Sequence, residues 1–108
     1  MSIQKISNKI GRIKAALESV LPPTSRLILS KQNNDTATFR LAGRSIQAVW
    51  VSAGWPAQIK KVLETNSPNI VVSPEMSPGA REILAQENIG WVDELGGAEF
   101  VLGTIIVS

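Results

Sequence analysis

Apolar residues near the start of the chain fall at Ile3, Ile6, Ile10, Ile13, Leu17 and Val20, in alternating steps of three and four. That spacing puts them on one stripe of an α-helix, with Ser2 as its N-cap and Pro22-Pro23 as a firm stop. Lys5, Lys9 and Arg12 fall on the opposite face. Gly11 costs such a helix about 1 kcal/mol against Ala, so it belongs where little packs on it or where a neighbour approaches closely.

Three strands are predicted next. Residues 26–30 are short and apolar. Residues 36–41 alternate, with Ala37, Phe39 and Leu41 on one face and Thr36, Thr38 and Arg40 on the other. Residues 31–35 (KQNND) carry turn chemistry, and Ala42-Gly43-Arg44 reverses the chain into residues 45–51. The three strands read as an antiparallel meander. Trp55-Pro56 opens a second helix with Pro in its first turn, and Ala57, Ile59, Val62, Leu63 and Asn66 form its stripe. Ser67-Pro68 ends it. Residues 69–73 are a β-branched run of the kind buried on both faces of a sheet. A third helix starts from Ser77 as N-cap, buries Ala80, Ile83 and Leu84, and closes near Asn88. Residues 90–93, 99–102 and 104–107 supply the last strands.

The order α-β-β-β-α-β-α-β-β-β predicts a mixed sheet with helices packed over it, an α/β fold filling one domain over residues 1–108. Strand patterning runs to Val107 and the chain stops at Ser108, as expected of a piece cut from a longer protein. No stretch offers the roughly 18 apolar residues of a membrane span, and the N-terminus lacks the apolar centre of a secretory signal. A cytoplasmic protein without membrane contact is expected.

Composition changes this picture through what it lacks. The 108 residues include no Cys, no His and no Tyr. Disulfides, thiolate zinc sites, imidazole bases and His-ligated metals are therefore excluded. Carboxylates and Lys are left for acid–base work. Asp93 and Glu94 follow a predicted strand, and strand ends are where sites gather in α/β sheets; equally, Asp93 can brace the Leu95-Gly96-Gly97 turn. Asp35 reads as a turn residue. Glu75, Glu82 and Glu87 read as solvated charges. Gly96-Gly97 precedes a strand rather than opening a helix, so it does not form a phosphate cradle. No cofactor or metal is expected.

Trp50 and Trp91 read as core. Trp55, in a turn, either caps the core or offers its ring to a partner or a base. The net charge of +2 conceals an uneven distribution. Residues 1–61 hold ten basic side chains against Glu18 and Asp35, giving +8, while residues 62–108 carry −6. The first helix and the meander thus form a basic half able to meet phosphates, with Lys5, Lys9, Arg12, Lys14, Arg40, Arg44, Lys60 and Lys61 as candidate contacts to duplex DNA. The first helix also has coiled-coil spacing over fewer than three heptads. It predicts packing on its own sheet or, as the alternative, a dimerisation or partner-binding module.

Residues 69–84 (NIVVSPEMSPGAREIL) and 88–98 (NIGWVDELGGA) resemble a domain of bacterial regulators. In that family a strand leads through a Pro-containing turn into a helix, and a Gly-Ile-x-aromatic-x-Asp stretch precedes a Gly-Asn turn. Here Gly97 replaces the Asn. The resemblance implies a fold related to restriction endonucleases of the PD-(D/E)XK type, with an α-β-β-β-α-β core. Such domains commonly precede a winged helix–turn–helix in transcriptional regulators, some of them antitoxins of type IV toxin–antitoxin systems. The related nuclease chemistry needs an Asp near the second strand and an acid two residues before a Lys on the third. Asp35 stands near the second strand, but residues 45–51 (SIQAVWV) contain neither acid nor Lys. A non-catalytic domain supporting DNA or partner binding is expected. The alternative is a metal-dependent nuclease using an unorthodox set such as Asp35, Glu75 and Asp93.

Overall fold

The structure, a computed structural model, describes residues 8–102 and 105–107. Its elements are α1 (Asn8–Val20), β1 (Ile28–Gln32), β2 (Thr36–Leu41), β3 (Arg44–Trp50), α2 (Pro56–Thr65), β4 (Ile70–Ser73), α3 (Pro78–Gln86), β5 (Gly90–Asp93), β6 (Ala98–Leu102) and β7 (Ile105–Val107). This is the mixed α/β order that the residue pattern predicts. The expected cap Ser2 and the stripe positions Ile3 and Ile6 lie outside the described residues, as does the candidate Lys5.

The seven strands form one sheet in the order β1-β2-β3-β4-β5-β6-β7. β1, β2 and β3 are antiparallel, β3, β4 and β5 are parallel, and β5, β6 and β7 are antiparallel again. Ala42 (φ 52°) and Gly43 (φ 78°) make the two-residue turn between β2 and β3, with Leu41 opposite Arg44. Two successive positive φ values match the right-handed twist of the flanking strands.

Side-chain alternation sends each strand's residues to two different helical layers. Ile46, Ala48 and Trp50 of β3 face α1, whose Ile10, Ile13, Ala16 and Leu17 bury against them together with Phe39, Ile70, Val72 and Val92. Val49 and Val51 face the other way, into a second cluster with Ile59 of α2, Ala80 and Leu84 of α3, and Val71, Met76 and Trp91. Two successive parallel crossovers of one hand put α2 and α3 on the same side of the sheet. β4, covered on both faces, is buried at all four residues. The described part of the α1 stripe, Ile10, Ile13 and Leu17, is thus taken up by its own sheet.

Ends are set by local chemistry. The Ser77 hydroxyl accepts from the Ala80 N–H (3.2 Å), and Pro78 occupies the first turn of α3. Asn88 (φ 57°) closes that helix, with Ile89 N donating to Leu84 O (2.9 Å) and Asn88 N to Ala85 O (3.1 Å). This is a Schellman ending, with Ile89 packed beside Leu84. β1 sits two residues later than its apolar run. Its last residues, Lys31 and Gln32, pair with Thr38 and Ala37 across a bulge that follows Leu29. An edge strand needs backbone partners rather than apolar side chains, and of the run only Leu27 is buried, Ile28 being half exposed. On α2, Ile59 is buried, whereas Ala57, expected on the stripe, is exposed.

Candidate functional site

The carboxyl ends of β3, β4 and β5 lie side by side, the place where α/β sheets collect ligands. The segments after β3 and β4 are zipped together there. Gly54 bridges to Met76, and Ser77 N donates to Gly54 O (2.9 Å). A Cβ on Gly54 would stand 2.2 Å from Glu75 O and 2.8 Å from Met76 Cα, so the close approach of two backbones requires glycine. Beside this bridge is a cavity of about 170 Å³ lined by Ser52, Gly54, Trp55, Pro74, Glu75 and Ser77. Trp55 stands at it with 62% of its surface exposed, whereas Trp50 and Trp91 are buried as expected. Trp55 is therefore a surface ring and not a cap on the core.

Asp93 ends β5 and is 1% exposed. Its Oδ1 accepts from Leu95 N (3.1 Å) and Gly97 N (2.8 Å), and its Oδ2 accepts from Met76 N (3.2 Å). Arg81 Nη2 stands 3.8 Å from Oδ2. The carboxylate braces the turn that follows it and ties that turn to the segment after β4. Gly96 adopts φ 94°, and a Cβ on Gly97 would meet Trp91 at 3.0 Å and Asp93 Oδ1 at 3.1 Å. Gly96 suits the turn by its backbone angle, and at Gly97 a methyl would press on Trp91 and the Asp93 carboxylate.

Two arginines lie over tryptophans, one on each face of the sheet. Arg12 of α1 is 4.4 Å from the Trp50 ring centre, and Arg81 of α3 is 4.5 Å from that of Trp91. Arg81 Nε also donates to Met76 O (3.0 Å). Arg12 forms a two-point ion pair with Glu94, Nε to Oε2 at 2.8 Å and Nη2 to Oε1. That hydrogen bonding holds the Glu94 carboxyl below its ordinary value and pushes the Arg12 guanidinium up. Arg12 is thus engaged within the molecule, and Lys14 pairs with Glu18 (3.7 Å) along the helix.

The remaining candidates are scattered by the crossover. Lys9 is exposed on α1, while Lys60 and Lys61 are exposed on α2, across the sheet. Arg40 alternates with Phe39 and Leu41, which face α1, so it leaves the opposite face. Arg44 stands at the hairpin tip opposite Leu41. The single basic half expected from the sequence is therefore divided among three places. Arg26, absent from the candidate set, is exposed two residues ahead of Ile28, which pairs with Arg40. Its signal was its position before a strand that returns beside the hairpin.

The acids do not converge either. The backbone oxygen of Asp35 accepts from Trp50 N (2.7 Å), and the register puts Thr36 opposite Val49 and Ala37 opposite Ala48. Among the described residues no three acidic side chains are placed to hold a metal ion, so Asp35, Glu75 and Asp93 form no joint site. No helix among the described residues is long and apolar enough to cross a membrane. Comparison with protein-family models, curated proteins and solved structures finds no match to this chain.

Proposed function

We propose that this chain is a non-catalytic, nuclease-like α/β domain of a bacterial DNA-binding transcriptional regulator or antitoxin, acting in the cytoplasm to support DNA or partner binding. The observation that carries the reading is the register of β2 on β3. Beside Asp35, where nuclease chemistry would need an acid and a Lys, β3 presents Ala48, Val49 and Trp50, all buried. Two metal-binding oxygens and an aligning ammonium have no counterpart on that strand. Asp93 has its oxygens engaged by backbone N–H groups, which suits a bracing role. The DNA side of the reading rests on charge. Lys31, Arg40, Arg44, Lys60 and Lys61 are exposed and make no ion pair among the described residues.

Two measurements test it. Incubation with supercoiled plasmid and Mg²⁺ or Mn²⁺ is expected to leave the plasmid intact; cleavage that Asp35→Ala abolishes would overturn the non-catalytic assignment. Fluorescence anisotropy with labelled duplex DNA is expected to show binding that weakens steeply with added salt. Absence of binding at low ionic strength would remove the DNA role.

A further inference from the structure

The β2–β3 hairpin extends past its neighbours at one end of the sheet. β4 pairs only with Ala48, Val49 and Trp50, leaving the first residues of β3 without a strand on that side. Asn69, just ahead of β4, still holds Gln47 by two hydrogen bonds, and Leu41 and Ile46 are buried, so residues 42–45 are the part exposed at the tip. On the other side β1 stops at Ile28, opposite Arg40. Residues 41–44 therefore lie past both flanking strands. The tip is small, Ala42 and Gly43, and nothing lies within 4 Å of where a Cβ on Gly43 would be.

Charge on the hairpin itself has one sign, residues 40–45 holding two arginines and no acid. Arg40 and Arg44 flank the turn and start from opposite faces of the ribbon, because Arg40 pairs with Ser45 while Arg44 pairs with Leu41. Arg26 arrives beside them ahead of β1. All three are exposed and none makes an ion pair among the described residues. The nearest acids in sequence are occupied or distant: Glu18 pairs with Lys14, and Asp35 stands at the far end of β2, roughly 17 Å from Arg40 at strand spacing.

We propose that this hairpin tip, with Arg26, Arg40 and Arg44, is where the chain meets duplex DNA, the tip entering the major groove and the arginines contacting phosphates on its walls. The proposal rests on the DNA-binding reading above and locates it. A two-stranded ribbon fits a groove about 12 Å wide, and cations leaving opposite faces reach opposite walls. The tight turn holds the tip in one conformation, so little order has to be gained on binding.

The test is fluorescence anisotropy with a mixed-sequence duplex about two helical turns long, titrated over a salt series. Arg40→Ala/Arg44→Ala is expected to weaken binding at least about tenfold near 0.1 M salt and to lower the salt slope by about 2, one unit for each lost phosphate contact. Arg40→Glu/Arg44→Glu is expected to weaken it further, with the far-UV circular dichroism of both variants unchanged. The same loss in Lys60→Ala/Lys61→Ala, with the hairpin variants binding like wild type, would overturn the hairpin while leaving the DNA role standing. Failure of the wild-type chain to bind any duplex at low salt would overturn both.

Discussion

The guanidinium of Arg12 lies 4.4 Å from the centre of the Trp50 ring and is held there by Glu94. One side chain of α1 thereby joins the carboxyl ends of β3 and β5. Arg81 and Trp91 repeat the arrangement on the other face, with Asp93 in the place of Glu94.

This pairing gives the stability a defined pH dependence. The Glu94 carboxyl is lowered from its ordinary value of 4.5 by its hydrogen bonds to Arg12. Between the two values the unfolded chain binds more protons than the folded one. The contribution is therefore complete above about pH 4.5 and is lost as pH falls through the lower, folded value. Urea denaturation of wild type and Glu94→Gln should differ most near neutral pH and converge in acid. A gap unchanged from pH 7 down to pH 3, or one insensitive to salt, would contradict it.

Replacing Asp93 by Ala removes the buried carboxylate that accepts from Leu95 N and Gly97 N in the turn and from buried Met76 N after β4. A loss of about 3 kcal/mol or more is expected from denaturant titration. Asp93→Asn keeps one accepting oxygen and should lose less. Equal and negligible effects would mean that the turn holds itself.

Two glycines should respond to Ala in opposite directions. Gly11 is inside α1 with nothing within 4 Å of a Cβ, so Gly11→Ala should raise stability by about 1 kcal/mol. Gly54→Ala drives a methyl into the Glu75 and Met76 backbone and should lower it by about 2 kcal/mol or more. Thermal melts of the two variants make the comparison directly.

Trp55 should dominate the solvent-accessible fluorescence, being 62% exposed where Trp50 and Trp91 are 4% and 6%. Acrylamide should quench the emission strongly in wild type and weakly in Trp55→Phe. Stability should change by less than about 0.5 kcal/mol. Strong quenching that survives the substitution would place another ring at the surface.

What the sequence made legible follows the range of each interaction. β2 and β5 match their patterns residue for residue, and Ser77 caps α3, because alternation and capping involve neighbours only. The Asp93 turn is readable for the same reason, the N–H groups that donate to its carboxylate being two and four residues on. Its bond from Met76 is not, since nothing local announces a backbone donor 17 residues earlier. Arg12 shows the limit most plainly. By composition it belongs to the basic half, yet its carboxylate partner comes from the acidic half. Lys60 and Lys61 were grouped with the meander by proximity in sequence, whereas the crossover carries them to the other side of the sheet from α1.

Each strand of this sheet lies beside the one made just before it. A chain emerging from its N-terminus can therefore extend the sheet one strand at a time, each docking on an edge already present, with none having to slip between two placed neighbours. α1 alone departs from that progression. It is made before any strand, yet Arg12 must await a partner 82 residues further on. α1 can thus pack on β2 and β3 as soon as they exist, while its ion pair closes only when Glu94 has been made.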